Sequence, residues 1–285
     1  KYGSGVHSLK FTITDTEGKT VSYPKNDSDT IKIAFDDDVP SVSVIKFNEV
    51  TYTEGCFAPA DFTLNGTVKD SSGTVKIYYK EGERETQVSE IGSCTESQNW
   101  THNISGETSG NNKTRTYTAR DKYGRESSVT IKYNIDTTLP EFINDTSYGQ
   151  NDSSKKIIIA SGDKKADTAT VGSVWFNQKA VSISGTVKEI NLDTLYLNET
   201  AFTASTVSGE NSGYKITSEF DEGSSNQFTL KAKDKAGNES SVGPFIIKID
   251  LTPPTIESCT LQGISEGDCI NSDSLTVNFT VKDEY

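Results

Sequence analysis

The sequence predicts an all-β chain made of a tandem array of two-layer β-sandwich domains. Three stretches share one pattern: a strand runs into Asp-x-x-Gly, a second strand ends at an Asp, and a Pro follows four residues later. The closing aspartates are Asp36, Asp136 and Asp250, which lie 100 and 114 residues apart. A repeat of about 100 residues is typical of a β-sandwich domain and too long for a solenoid repeat. Such arrays favour a function based on length and surface over one based on a catalytic pocket.

These anchors divide the chain into four parts. We expect residues 1–39 to hold the last strands of a first domain and residues 40–139 to form a whole domain. Residues 140–253 should form a second whole domain, and residues 254–285 the first strands of a further one. Each joint contains a Pro, which restricts the backbone, and none carries a Gly/Ser-rich tether. The joints are therefore expected to be semi-rigid.

Apolar residues alternate with period two in each part, which indicates strands with one buried face. The opening strands contain Phe62 with Leu64 and Val181 with Ile183. Each opening strand continues into Gly-Thr-Val-Lys and an acid, Asp70 in one domain and Glu189 in the next. The closing strands carry apolar residues at alternate positions: Ile31, Ile33 and Phe35; Ile131, Tyr133 and Ile135; Phe245, Ile247 and Ile249. We find no helical periodicity over ten or more residues.

Composition narrows the class of protein further. The 285 residues carry a net charge of −13, and 32% of them are hydrophobic. A low apolar content suits thin two-layer domains, in which every second strand residue faces water. An acidic chain repels nucleic acid and anionic lipid, so neither is an expected partner. The apolar runs are too short to insert this segment in a membrane.

Four cysteines occur, Cys56, Cys94, Cys259 and Cys269, and none forms the Cys-x-x-Cys spacing typical of zinc sites. Aligning FTLNGTVKD (62–70) with LTVNFTVKD (275–283) places Cys269 on Cys56, and the middle unit has Trp175 near that place. We predict that Cys56 pairs with Cys94, which belongs to the same domain. Cys269 is expected to pair with Cys259 or with a cysteine beyond residue 285. Free buried thiols are the alternative. Disulfides would place the protein in an oxidising compartment.

Acidic residues offer the one candidate metal site. In Asp15-x-x-Gly18 and its two repeats, the pattern favours a turn between strands, with calcium as the alternative. The run Asp36, Asp37 and Asp38 lies at a domain joint, where a calcium ion would rigidify the hinge. Carboxylates such as Asp15 or Glu17 would complete its shell. A solvated acidic linker is the competing interpretation, because the matching joints carry a single carboxylate each. No other cofactor is expected.

Catalytic residues are not evident. The two histidines, His7 and His102, fall in different predicted domains, so no Ser-His-Asp or Cys-His set is expected within one domain. Trp100 and Trp175 would suit stacking on a sugar ring, but each domain has a single Trp, and we predict that both lie in the core. The sequence therefore predicts that this chain is not an enzyme.

The repeated motifs resemble those of the tandem bacterial immunoglobulin-like (Ig-like) domains of large cell-surface, adhesin-type proteins. The resemblance rests on YTARDKYG (117–124) and LKAKDKAGNES (230–240), each followed by a strand, an Asp and Thr-x-Pro. It covers the whole chain at the level of the repeat pattern. It implies seven-stranded Greek-key sandwiches arranged as an extended rod, used as a stalk or adhesive module on a bacterial surface.

Three functions follow as expectations. The first is a structural stalk of a secreted or cell-surface protein, which projects a distal functional domain and contacts neighbouring Ig-like domains of the same protein. The second is a module that binds a glycan or a host protein through variable segments at 81–98 and 147–170. The third is an accessory segment of a multimodular carbohydrate-active enzyme.

Overall fold

The computed structural model describes residues 5–26, 29–145, 154–271 and 273–285. It is almost entirely β-structure, as predicted, with a 3₁₀ turn at Val171–Ser173. The chain forms two compact units, Lys1–Thr138 and Leu139–Tyr285.

The first unit begins with two small antiparallel sheets, β1 with β4 and β2 with β3, and continues into a sandwich. The strands of these two sheets are β1 (Gly5–Leu9), β2 (Phe11–Thr14), β3 (Thr20–Tyr23) and β4 (Ile31–Phe35). The sandwich strands are β5 (Ser41–Phe47), β6 (Val50–Thr51), β7 (Cys56–Ala58), β8 (Phe62–Lys69), β9 (Val75–Glu81), β10 (Arg84–Ile91), β11 (Gln98–Ile104), β12 (Gly110–Asp121) and β13 (Glu126–Ile135).

Two sheets form this sandwich, one in the order β11-β8-β5-β6 and the other in the order β10-β9-β12-β13-β7. The chain crosses repeatedly between the sheets, as from β8 to β9 and from β10 to β11, in the manner of the Greek-key connections of Ig-like domains. The short strand β7 runs parallel to β13, while the other pairs are antiparallel. The predicted alternation is confirmed in β8, where every second side chain from Phe62 to Val68 is buried.

Aromatic side chains fill the centre of the first sandwich. Phe47 stacks on Phe62 with ring centroids 4.7 Å apart, and both contact Tyr133 from the opposite sheet. Trp100 is buried against Tyr117, with centroids 4.9 Å apart. Its core position is therefore confirmed, and its indole is not available to stack on a sugar.

The second unit repeats this plan. Its strands are β14 (Glu141–Ile143), β15 (Ile158–Ser161), β16 (Lys164–Asp167), β17 (Trp175–Phe176), β18 (Ala180–Lys188), β19 (Leu192–Leu197), β20 (Thr200–Phe202), β21 (Thr206–Ser208), β22 (Asn211–Glu219), β23 (Gly223–Asp234), β24 (Glu239–Ile249), β25 (Thr255–Leu261) and β26 (Val277–Lys282). One sheet has the order β16-β15-β18-β22-β21, with β14 also on β18, and the other has the order β17-β24-β23-β19-β20. The hairpin β25–β26 forms a separate two-stranded sheet.

Trp175 corrects one sequence prediction. It is only half-buried, and its ring contacts Tyr285 with centroids 4.8 Å apart. The core position beside it belongs to Phe176, which pairs with Ile249 as Ala58 pairs with Ile135 in the first unit. The physical reason is register, because a one-residue shift along a strand moves a side chain to the other face.

The segments predicted to be variable loops are largely structured. Within 81–98, β10 pairs with β9 through most of its length. Within 147–170, strands β15 and β16 form a hairpin that pairs with β18, while residues 147–153 lie outside the described residues. These segments therefore extend the sheets and add few free loops.

The chain enters and leaves each sandwich at opposite ends. In the first, Pro40 precedes β5, and its carbonyl accepts a hydrogen bond from the Ser127 hydroxyl at the start of β13. The far end of β13 carries Asp136, whose N–H donates to the Ala58 carbonyl. In the second sandwich, Glu141 on β14 pairs with Lys188, at the end where β24 starts, and β24 leads to Asp250 at the other end. We call the two ends of each sandwich the entry pole and the exit pole.

Candidate functional site

Three aspartates from separate elements meet at the entry pole of the first sandwich. Asp36 follows β4, Asp70 follows β8, and Asp121 ends β12. One carboxylate oxygen from each lies within 4.8 Å of the other two. We call this set the carboxylate cluster. It joins the segment after β4 to both sheets of the sandwich.

Local turn chemistry places Asp121. Its Oδ1 accepts hydrogen bonds from the N–H groups of Tyr123 (2.8 Å) and Arg125 (2.9 Å), and Gly124 adopts a φ of 86° that few other residues tolerate. Asp15 makes the same turn with the N–H groups of Glu17 and Lys19. The turn predicted for Asp-x-x-Gly is thus confirmed.

The other two aspartates are also held by short-range hydrogen bonds. The Oδ2 of Asp70 accepts from the N–H of Ser72 at 2.8 Å and from the hydroxyl of the same serine. The Oδ1 of Asp36 accepts from the N–H of Asp38 at 3.2 Å and from the Ser71 hydroxyl at 3.0 Å. These hydrogen bonds within the protein fix the orientation of both carboxylates.

Arg125 supplies the positive charge in the cluster. Its Nε lies 2.9 Å from Asp121 Oδ2, and its Nη2 lies 2.7 Å from Asp36 Oδ2. Desolvation of the guanidinium is outweighed by the negative charges of Asp121 and Asp36, which raise the pKa of Arg125. Arg125 therefore stays charged and links the segment at Asp36 to the turn after β12.

The structure brings only one member of the predicted acidic run into this cluster. Asp37 and Asp38 are exposed, and Asp38 accepts a hydrogen bond from the Ser71 hydroxyl at 3.0 Å. Asp15 lies in its own turn and is not among the clustered acids. The sequence analysis missed Asp70 and Asp121 as partners of Asp36. A signal was present, because each is an acid at the end of a repeated strand motif.

A second polar site lies on the face of the first sandwich. An open groove of about 500 Å³ is lined in part by Tyr79, His102, Glu107 and Arg115. The Arg115 guanidinium lies 4.7 Å from the Tyr79 ring centroid, and it forms an ion pair with the Glu107 carboxylate. His102 Nδ1 lies 2.8 Å from the Tyr117 hydroxyl. Burial, together with the charge of Arg115, lowers the pKa of His102 to about 4, so this imidazole is neutral at pH 7.

All four cysteines are free thiols, so the predicted Cys56–Cys94 disulfide is not present. Cys56 pairs with Tyr133 toward the exit pole, whereas the Cys94 carbonyl accepts from the Asp70 N–H at the entry pole. Opposite poles are much farther apart than the short Cα separation that a disulfide requires. Cys259 and Cys269 are exposed, and a pairing of Cys269 stays a prediction.

The fold and the site together define a class: a chain of tandem Ig-like β-sandwiches with an acidic, arginine-linked cluster at one sandwich pole. No family model matches the chain, and no curated protein matches it. Within the residues described, no helix is both long enough and apolar enough to cross a membrane.

Solved structures with similar architecture include three from multidomain proteins. Fibronectin(III)-like modules of CbhA from Clostridium thermocellum are 15% identical, with 73% of this chain and 95% of theirs covered and a TM-score of 0.38. A Ca²⁺-stabilized adhesin that helps an Antarctic bacterium reach out and bind ice is 14% identical, with 92% of this chain and 60% of that adhesin chain covered and a TM-score of 0.32. A tetra-tandem repeat from the extending region of a large adhesion protein is 18% identical, with 91% of this chain and 60% of that repeat chain covered and a TM-score of 0.24. These TM-scores are too low for ligands or activity to be carried over.

Proposed function

We propose that this chain is a non-catalytic spacer segment of a secreted or cell-surface adhesin-type protein, which holds a distal functional domain away from the cell. The observation that supports it is the placement of entry and exit at opposite poles of each sandwich. A domain connected in this way adds its full length to the chain path, whereas a domain with both ends at one pole would fold the path back.

The expected gain in length follows from strand geometry. Strand β13 has 10 residues, and at about 3.3 Å per residue it spans roughly 30 Å. End-to-end placement of two whole sandwiches, with partial domains at 1–39 and 254–285, would give a rod of about 100 Å. Neighbouring Ig-like domains of the same protein are the proposed partners. The net charge of −13 would keep neighbouring stalks apart through mutual repulsion.

Small-angle X-ray scattering of the purified chain tests the spacer proposal. A rod of about 100 Å has a radius of gyration near 30 Å, whereas a compact globule of this length has one of about 19 Å. We expect the larger value, unchanged by dilution and by added salt. A radius near 19 Å would show that the chain folds back on itself and would reject the spacer function.

A second candidate function is glycan binding in the groove beside Tyr79. The groove presents an aromatic ring together with charged and amide side chains, which is a combination that suits a sugar. Calorimetric titration with soluble bacterial or host polysaccharides tests it. Binding that is lost in Tyr79→Ala, and retained in the control Tyr196→Ala of the second sandwich, would support this function. Absence of binding to the whole panel would remove it.

A further inference from the structure

Two apolar surfaces lie exposed on the terminal strands of the chain. The first, which we call the head face, lies on β2, β3 and β4, and its residues are 37–70% exposed: Phe11, Ile13, Val21, Tyr23 and Ile33. The second, the tail face, lies on β25, on β26 and just before β26, and its residues are 38–68% exposed: Ile256, Leu261, Leu275, Val277, Phe279 and Val281. Apolar surfaces of this kind mark interaction sites, and an isolated two-stranded sheet is marginally stable.

The head face corresponds to the inner face of one sheet of a whole sandwich. Aligning LKFTITDTEG with RTYTARDKYG places Phe11 on Tyr117, a core residue of the first sandwich. The strand registers agree, because Phe11 pairs with Tyr23 as Tyr117 pairs with Val129. The strands at the start of the chain therefore reproduce the inner face that β12 and β13 present in the first sandwich.

The tail face corresponds to the inner face of the opposite sheet. The alignment of LTVNFTVKD with FTLNGTVKD places β26 on β8, and β25 corresponds to β5. Leu261 pairs with Val277 as Phe47 pairs with Leu64, so the register is the same. In the first sandwich β5 and β8 lie in one sheet and β12 and β13 in the other. The two terminal parts thus carry the inner faces of two sheets that pack on each other in a whole sandwich.

One substitution suits the tail face to closing without a third strand. In the whole sandwiches, Gly66 and Gly185 each pair with an aromatic residue of the next strand, Trp100 and Tyr214, whose side chain lies over the glycine. The corresponding position in β26 is Phe279. A phenylalanine at this position fills, from β26 itself, the space that β11 and β22 fill in the whole sandwiches.

We propose that the tail face of one copy of this chain packs on the head face of a second copy and completes a small two-layer sandwich. Because Trp100 packs on Tyr117 in the first sandwich, Phe279 of one copy packs on Phe11 of the other. Each whole sandwich has its entry and exit at opposite poles, which disfavours contact between the two faces of one chain. A head-to-tail contact leaves one face open at each end, so copies add in series. The inference goes beyond the spacer function, because it adds association between copies.

The size of the interface sets the expected affinity. Burying the two sets of side chains removes on the order of 800 Å² of apolar surface from water, to which backbone and polar atoms add. The total lies near the lower limit of about 1,200 Å² for a specific interface. Ordering of the terminal strands on binding opposes association. We therefore expect a dissociation constant of about 10⁻⁴ M.

Sedimentation velocity of the full chain between about 10 µM and 500 µM, on both sides of this dissociation constant, tests the interface. We expect a monomer at the lowest concentration and a mean mass that rises with concentration. Phe11→Ser and Phe279→Ser should each weaken self-association by about tenfold or more. The control Val207→Ser changes a 73% exposed residue on β21, outside both faces, and should associate like the wild-type chain.

A mixture of the two variants tests the head-to-tail arrangement. Phe279→Ser keeps the head face and Phe11→Ser keeps the tail face, so equal amounts should form a 1:1 complex with the wild-type dissociation constant, and growth should stop at two copies. Thermal unfolding of both whole sandwiches should be unchanged, because neither residue belongs to them. Three results would overturn the proposal: a wild-type chain that stays monomeric throughout, a mixture that forms no complex, or undiminished self-association of either variant, which would indicate pairing of like faces.

The tests of the interface and of the spacer function are independent. At about 10 µM an interface of this affinity leaves the chain mainly monomeric, so scattering measured at that concentration reports the single chain. A compact monomer would reject the spacer function and leave the interface standing, whereas an extended monomer that never associates would do the reverse.

Discussion

Gly66→Ala should destabilise the first sandwich by about 3 kcal/mol or more. Gly66 lies in the middle of β8, where it pairs with Val44 on one side and Trp100 on the other. A Cβ added there would overlap both the carbonyl oxygen of Ser43 and the indole ring of Trp100. The carbonyl belongs to the β5 backbone, so it cannot move without disturbing the β5–β8 pairing.

The magnitude combines two terms. Inserting a methyl group into a close-packed core costs about 1–3 kcal/mol, and a backbone overlap favours the upper end of that range. Displacing the Trp100 ring would also break its hydrogen bond from Nε1 to the Thr67 carbonyl, at 3.3 Å, which contributes about 1 kcal/mol.

Gly185→Ala is the matched control, because Gly185 precedes the same Thr-Val-Lys in the second sandwich. Its added Cβ would meet the Tyr214 side chain, with the hydroxyl oxygen at 2.6 Å, and no backbone atom is among its three nearest contacts. The Tyr214 hydroxyl has no hydrogen-bond partner, so its displacement forfeits no hydrogen bond. We expect a cost of about 1–2 kcal/mol.

Thermal unfolding followed by circular dichroism and Trp fluorescence measures both variants. A loss of 3 kcal/mol in a domain of this size lowers the melting temperature by about 12 °C or more. Equal shifts for the two variants, or a shift of less than about 3 °C for Gly66→Ala, would contradict the packing argument.

Three other predictions follow from buried polar groups and thiols. Lys156→Met should lower the free energy of unfolding in urea by about 3 kcal/mol, because it removes the amine that lies 2.6 Å from the buried Asp167 carboxylate. Adding Asp167→Asn should recover part of that loss, and a double variant with no recovery would contradict the prediction. Burial lowers the pKa of His102 from 6.5 to about 4, so the folded state binds fewer protons than the unfolded state, and stability present above pH 6.5 is lost as the pH falls toward 4. Relative to His102→Gln, the wild-type chain should lose about 1–2 kcal/mol of stability over this range, after allowance for solvent screening. Parallel pH profiles of the two chains would refute this prediction. Maleimide should label the exposed Cys259 in the native chain, and it should label the buried Cys94 only after unfolding. If Cys94 stays unlabelled in denaturant without reductant, it forms a disulfide.

Local patterns in the sequence were sufficient for the strands and their turns. Alternation in β8 and the Asp-x-x-Gly turn at Asp121 depend on residues that are close together in the chain. Side-chain period and short-range hydrogen bonds therefore predict these features without reference to any long-range contact. Trp100 was predicted in the core for another reason, that each domain has a single Trp, and it does lie on an inward-facing position of β11.

The features that the sequence did not reveal depend on which strands become neighbours. Trp175 lies one position away from the core residue Phe176, and only the pairing register with β24 distinguishes them. Cys56 and Cys94 belong to one sandwich but lie toward opposite poles.

The carboxylate cluster shows the same division between sequence and tertiary structure. The sequence by itself determined that Asp36 ends a strand segment at a joint and that acids end the repeated strands. Only the tertiary structure decided that Asp70 and Asp121 join Asp36, that Asp37 and Asp38 face solvent, and that Arg125 bridges two of the three carboxylates. The physical reason is that the closing of two sheets brings together residues more than 30 positions apart, and the resulting electrostatic environment depends on that closing.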